Sequence, residues 1–194
     1  KLGRIPFGDD FATIDSNFQN LAFGGAQPGN RGNNIYNWPI AQWAAVIRAN
    51  ITPEWYAQVG AFNINDSNLE NDNGFDLRSS GTEGTLFPVE LGYTPTLNGM
   101  AGAYKLGFYT QNVDNRAYGD GPADRTSDTN TGLYYVVQQQ VTTRDGSPDR
   151  GLTLFSMGNT NHGDTAGIDR YVSIGAPSAC ACRTRSASAS RSAR

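Results

Sequence analysis

Long apolar runs are missing from this 194-residue chain. The longest, 43–47 and 133–137, are five residues each, against the roughly 18–20 that a membrane-crossing helix needs. A helical membrane protein is thereby excluded. A strand-built one is not, because each barrel strand carries a far weaker hydropathy signal. Cysteine is confined to Cys180 and Cys182, so the body has no disulfide framework, and Cys-x-Cys alone lacks the remaining ligands of a zinc site. The one histidine, His162, stands in the loop-like run Asn161-His162-Gly163-Asp164 with no second ligand at metal spacing. Neither Gly-x-Ser-x-Gly nor a P-loop occurs. Asp9, Asp10, Asp66, Asp72, Asp120 and Asp124 fall in turn-rich stretches, where Asp serves backbone geometry. The Asn/Asp-rich stretch 65–76 fails the EF-hand register, which would put Leu69 at the first ligand position and Ser80 at the twelfth. An enzyme, a metal and a cofactor are all unexpected.

Charge is also scarce, 17% of residues against about 25% in soluble domains. The last nineteen residues hold four Arg and no acid, which leaves the body with 11 Lys+Arg against 18 Asp+Glu, a net −7. An acidic body argues against nucleic acid as a partner. What the chain does have is 23 Gly and 11% aromatics, the composition of a turn-rich all-β protein.

Segments of alternating polarity run over 41–50, 55–63, 86–94, 103–111, 132–142 and 151–158, with strand ends at 1–5 and from Arg170. Short joins (51–54, 95–102, 143–150) alternate with long ones (64–85, 112–131), the rhythm of an antiparallel up-and-down sheet with one plain and one elaborated edge. The stretch 6–40 has little strand character. Phe11, Ile14, Phe18 and Leu21 recur in it at helical spacing after Asp9-Asp10, which predicts a short capped helix. A connection that long is expected to fold inward and narrow a lumen. Residues 151–158 alternate too weakly to assign a face.

Period two sorts Trp43, Ala45, Ile47, Trp55, Val59, Phe87, Val89, Leu91, Tyr93, Tyr104, Leu106 and Phe108 to one face. Gln42, Arg48, Tyr56, Gln58, Glu90, Lys105 and Tyr109 fall on the other, and Gln138 and Gln140 are assigned there too. A soluble sandwich would bury the apolar face; a membrane barrel would show it to lipid. Trp55, Tyr93 and Tyr104 beside the short turns are what a membrane interface favours, and the barrel is the better reading. Arg48, Glu90, Lys105, Gln42, Gln58, Tyr56 and Tyr109 are then the expected pore-lining, sugar-contact candidates. A sugar presents hydroxyls for bidentate donors and acceptors and C–H faces for aromatic rings, and transit needs many weak contacts.

The runs Leu2-Gly3-Arg4-Ile5-Pro6-Phe7-Gly8-Asp9-Asp10-Phe11, Pro53-Glu54-Trp55-Tyr56-Ala57-Gln58-Val59-Gly60, Gly81-Thr82-Glu83-Gly84-Thr85-Leu86-Phe87-Pro88-Val89-Glu90-Leu91-Gly92-Tyr93 and Tyr104-Lys105-Leu106-Gly107-Phe108-Tyr109 resemble the carbohydrate-selective porins of Gram-negative outer membranes, the OprB family. The match runs from Lys1 to about Gly175. It implies part of a sixteen-stranded all-β, antiparallel up-and-down transmembrane β-barrel, with about six to eight strands present here. It further implies facilitated diffusion of glucose and other mono- and oligosaccharides, without a cofactor, in contact with outer-membrane lipid. A homotrimer stays open for the full-length parent. On this reading the chain is an internal fragment, residues 1–175 form the partial barrel, and 176–194 are an off-pattern Ala/Ser/Arg tail, disordered or frame-shifted. A sheet that cannot close leaves backbone unpaired in lipid, so this polypeptide alone is not expected to conduct. The rival readings are a soluble β-sandwich carbohydrate-binding module and a β-rich glycosidase.

Overall fold

The computed structural model describes residues 1–14, 35, 40–65, 81–113, 115–116, 126–127, 130–144, 151–162 and 169–179. Twelve strands appear among them, in chain order β1 (Leu2–Ile5), β2 (Gln42–Asn50), β3 (Trp55–Ile64), β4 (Gly84–Tyr93), β5 (Thr96–Leu97), β6 (Met100–Gln111), β7 (Asn115–Arg116), β8 (Thr126–Ser127), β9 (Asn130–Gln140), β10 (Gly151–His162), β11 (Arg170–Gly175) and β12 (Ser178–Ala179). The main sheet runs β1-β2-β3-β4-β6-β9-β10-β11, with β5 added to β6 and β12 to β10; β7 and β8 pair separately. Neighbours in the sheet are neighbours in sequence and antiparallel, as an up-and-down meander requires. Strands β2, β3, β4, β6, β9 and β10 have 9, 10, 10, 12, 11 and 12 residues, about the 9–11 with which a tilted strand crosses a bilayer.

Turn chemistry sets the registers. Between β2 and β3 the Thr52 hydroxyl accepts the Glu54 and Trp55 N–H groups at 3.3 and 3.0 Å, while the Trp55 carbonyl accepts from Ile51 and Thr52. The join expected over 95–102 is largely strand. Asn98 and Gly99, at φ 52° and 77°, make a two-residue turn between β5 and β6, and Asn-Gly is the pair that tolerates two successive left-handed residues. Residue 151–158 parity is also resolved. β10 extends to His162, which is therefore strand and not loop, and its register against β9 puts Phe155, Met157, Asn159 and Asn161 on the buried side.

The short helix expected after Asp9-Asp10 is a single 3-10 turn placed earlier, Phe7–Asp9. Pro6 presets the entry φ at −65°, and the left-handed Ala12, φ 51°, stops any continuation. Phe18 and Leu21 lie outside the described residues, as does most of both long joins and of the tail. Of the tail, Ser178 and Ala179 pair with Leu152 and Gly151.

The segment 6–14 lies across one face of the sheet. Phe7 and Phe11, both fully buried, stack at 5.3 Å and meet Phe62 at 5.6 and 5.8 Å. Phe7 also meets Tyr134 edge-on at 6.5 Å. These rings, with Ala12, Ile14, Ile64, Leu86 and Val136, form the core. The core therefore sits between the sheet and its own early chain, on the face that the alternation marked as polar.

Candidate functional site

The sheet's two faces have inverted polarity. The bare face exposes Ile47 (71%), Leu106 (61%), Val172 (63%) and Ile174 (79%), with Val59, Val89 and Leu133 between them. One rung across it reads Ile47–Val59–Val89–Phe108–Leu133. A second, at the short-turn end, reads Trp55–Tyr93–Tyr104–Val137, with the three aromatic rings stacked at 4.5 and 6.1 Å. The covered face buries Gln42, Gln58, Glu90, Gln111, Asn130, Gln138, Gln140, Asn159 and Asn161. A soluble sheet hides its apolar face and wets the other. This one does the reverse, which suits a wall between lipid and a polar interior.

All seven residues expected to line a pore lie on the covered side, and five of them are buried: Gln42, Tyr56, Gln58, Glu90 and Tyr109. Four of the seven converge. The carboxylate of Glu90, fully buried, accepts Tyr56 Oη at 2.8 Å and Gln58 Nε2 at 3.0 Å on Oε1. On Oε2 it accepts Tyr134 Oη at 2.9 Å and the backbone N–H of Ala12 at 2.6 Å. Four donors fill the lone-pair sites a carboxylate offers. Lys105 stands one rung away, opposite Gly92, and its Nζ donates to the Thr13 carbonyl at 2.7 Å and to the Thr13 hydroxyl.

Glycine makes this convergence possible. Gln58, Glu90, Gly107 and Tyr134 occupy one rung across four strands. Tyr134 reaches Glu90 by laying its ring over Gly107, where a Cβ would stand well inside 3.0 Å of the ring. Tyr56 crosses Gly92 in the same way. Tyr109 crosses Gly132 to donate its hydroxyl to Asn161 Oδ1. In each case the missing side chain is the space the ring uses.

The other candidates do not reach the Glu90 carboxylate. Gln42 Nε2 donates to the Asn63 carbonyl at 2.9 Å. Arg48 is exposed on the same face, its guanidinium 3.5 Å from the Tyr56 ring centroid and its Nε on Asn50 Oδ1 at 3.3 Å. A stacked, half-anchored guanidinium keeps terminal N–H donors in a fixed plane. Two participants escaped the sequence reading: Tyr134, whose parity with Gln138 was its only signal, and the Ala12 backbone, which has none. Ala12 pays for its left-handed turn with about 1–2 kcal/mol, which the charge-assisted bond from its N–H to Glu90, about 1.5–3 kcal/mol, offsets.

Comparison with known proteins agrees with this geometry. A family model described as carbohydrate-selective porin, OprB family, matches residues 1–188. Porin B of Pseudomonas aeruginosa is 40% identical over 188 residues, covering 90% of this chain and 41% of that protein. The putative porin QuiX of Acinetobacter baylyi is 32% identical over 176 residues, covering 87% of this chain and 40% of that protein. The high-pH structure of Pseudomonas putida OprB superposes with a TM-score of 0.83 at 41% identity, over 90% of this chain and 44% of that one. The chain thus spans about two fifths of the length of the curated relatives it matches. An all-β antiparallel sheet with an apolar outside, a polar inside and this likeness across nearly its whole length belongs to the carbohydrate-selective porin family, OprB.

Proposed function

We propose that this chain forms part of the wall of an outer-membrane channel through which carbohydrates pass by facilitated diffusion. The observation that carries the reading is the inverted sheet: exposed Ile47, Leu106 and Ile174 on one side, buried Glu90, Gln58 and Gln138 on the other. A soluble carbohydrate-binding module would not leave the apolar side bare. The stacked rung Trp55–Tyr93–Tyr104 lies at the short-turn end, where an interfacial aromatic girdle would sit; with the short turns on the periplasmic side of the barrel, the long joins face outward. No bond is made or broken in this role; the wall offers contacts weak enough to release the solute.

Burial divides the seven candidate residues. Arg48, exposed above Tyr56, is the one placed to offer two parallel N–H groups to a pair of sugar hydroxyls. Gln42, Tyr56, Gln58, Glu90 and Tyr109 are buried and shape the lumen from behind, and half-buried Lys105 holds Thr13. The test is liposome swelling with a full-length barrel that carries this segment. Glucose and maltose are expected to enter faster than neutral non-sugar solutes of equal size, and R48A is expected to narrow that difference. Equal rates for sugars and non-sugars in the unaltered barrel would sink the proposal.

A further inference from the structure

Glu90 is bonded to a part of the chain 78 residues away, and the bond does not depend on which side chain is there. Its partner is the backbone N–H of Ala12. On one side of that amide, Gln58 Nε2 donates to the Asp10 carbonyl at 2.6 Å. On the other, Lys105 Nζ donates to the Thr13 carbonyl at 2.7 Å. The wall therefore presents donor, acceptor, donor, and the segment answers with carbonyl, N–H, carbonyl. The three wall residues sit on adjacent strands β3, β4 and β6, with Gln58 directly opposite Glu90 and Lys105 one rung on. An edge strand would read a neighbouring backbone with its own amides; here three side chains do so from strands inside the sheet.

The other contacts of Glu90 hold the carboxylate in place. Tyr56 and Tyr134 approach from opposite sides, each across a glycine. With both oxygens doubly occupied, Glu90 can neither rotate toward the lumen nor take a sugar hydroxyl without giving up a protein donor. The aromatic cluster of Phe7, Phe11 and Phe62 anchors the same segment just upstream. It fixes the rings, while the polar triad fixes the backbone on either side of Phe11.

We propose that Glu90, flanked by Gln58 and Lys105, is a positioning residue that latches residues 10–13 to the inner wall and thereby sets the width of the solute path. This rests on the channel reading above. The latch is a property of the backbone, so substitutions at positions 10–13 that keep the turn should leave it intact, whereas a single change at Glu90 should open it.

The test uses a full-length barrel carrying this segment, with E90Q as the first variant. Gln keeps the size but turns one acceptor into a donor facing donors. Losing a charge-assisted hydrogen bond should raise the undocked fraction about tenfold or more. Hydrogen exchange at the Ala12 amide should speed up by that factor, while amides of the β3–β4 ladder keep their protection. In planar bilayers the single-channel conductance should rise, and the glucose concentration that half-blocks the current should rise with it. An Ala12 amide that stays protected, or a conductance that stays at the unaltered value, overturns the proposal. If E90Q does not fold, K105M removes only the Thr13 contacts and must shift both readouts the same way by less; no shift overturns it equally. Amide exchange and ion conductance need no sugar, so a barrel that passes ions but prefers no sugar would refute the transport reading alone.

Discussion

Replacing Gly107 with alanine adds one carbon and should break the hydrogen bond that passes over it, between the strands on either side. A Cβ at 107 would stand well inside 3.0 Å of the Tyr134 ring. The strand cannot move aside, because β6 is paired along its length with β4 and β9. The ring must therefore yield, and its hydroxyl leaves Glu90, 2.9 Å away. Losing one donor to a buried carboxylate costs about 1.5–3 kcal/mol, and crowding a packed face costs about 1–3 kcal/mol. G107A is thus expected to destabilise by about 2–5 kcal/mol, net of the about 0.5–1 kcal/mol by which Gly→Ala inside a strand ordinarily stabilises. Y134F removes only the hydroxyl and should cost about 1.5–3 kcal/mol. Both changes act on one bond, so the double variant should cost less than the sum by roughly the value of that bond. Denaturant unfolding of the full-length barrel in lipid vesicles, followed by tryptophan fluorescence, measures all three. A G107A barrel as stable as the unaltered one, or strictly additive variants, would refute the ring-over-glycine argument.

On the bare face, V89R should cost about 2–4 kcal/mol in vesicles if that face meets the middle of a bilayer; an effect near zero would mean that it meets water. F11A removes a fully buried ring from the cluster with Phe7 and Phe62 and should cost about 3–5 kcal/mol in the same unfolding assay. It should also make residues 10–13 easier to cleave with protease. W55A should lose about 0.5–1.5 kcal/mol beyond its buried area, the worth of its stack on Tyr93. Y109F, which removes the hydroxyl donated to Asn161, should cost only about 0.5–1.5 kcal/mol and leave conductance unchanged, in contrast with E90Q.

Faces and pairings were legible in the sequence because they rest on a period of two, which survives any uncertainty about strand ends. Tyr93 and Tyr104, sorted to one face beside the short turns, are direct partners. Gln138 and Gln140 were assigned to the inner side, and both are buried there. Strand limits were less legible: Asn98-Gly99 closes a two-residue turn inside what reads as an eight-residue join, and β10 runs on through Asn159 and Asn161 to His162. The helical spacing of Phe11 and Ile14 was misleading. Both are buried, but against a sheet that accepts any spacing a turn can present, so period alone cannot distinguish that from a helix face.

The site was half legible for a related reason. Polarity and parity put Arg48, Glu90, Lys105 and Gln58 on one side of the wall, and polar residues inside a barrel read naturally as solute contacts. What they touch depends on a segment brought back from far along the chain, and on rings that reach across glycines, neither of which alternation encodes. The inner wall faces a polar interior, so the segment is held there by burying aromatic rings from water and by hydrogen bonds. Gly92, Gly107 and Gly132 thin the wall where Tyr56, Tyr134 and Tyr109 lie flat, and two of those hydroxyls end on the carboxylate that holds Ala12. A glycine on the lumen side of a barrel strand, with a tyrosine opposite it, is therefore a sequence signal for a buried polar acceptor one strand beyond the glycine or diagonal to it on the glycine's own strand.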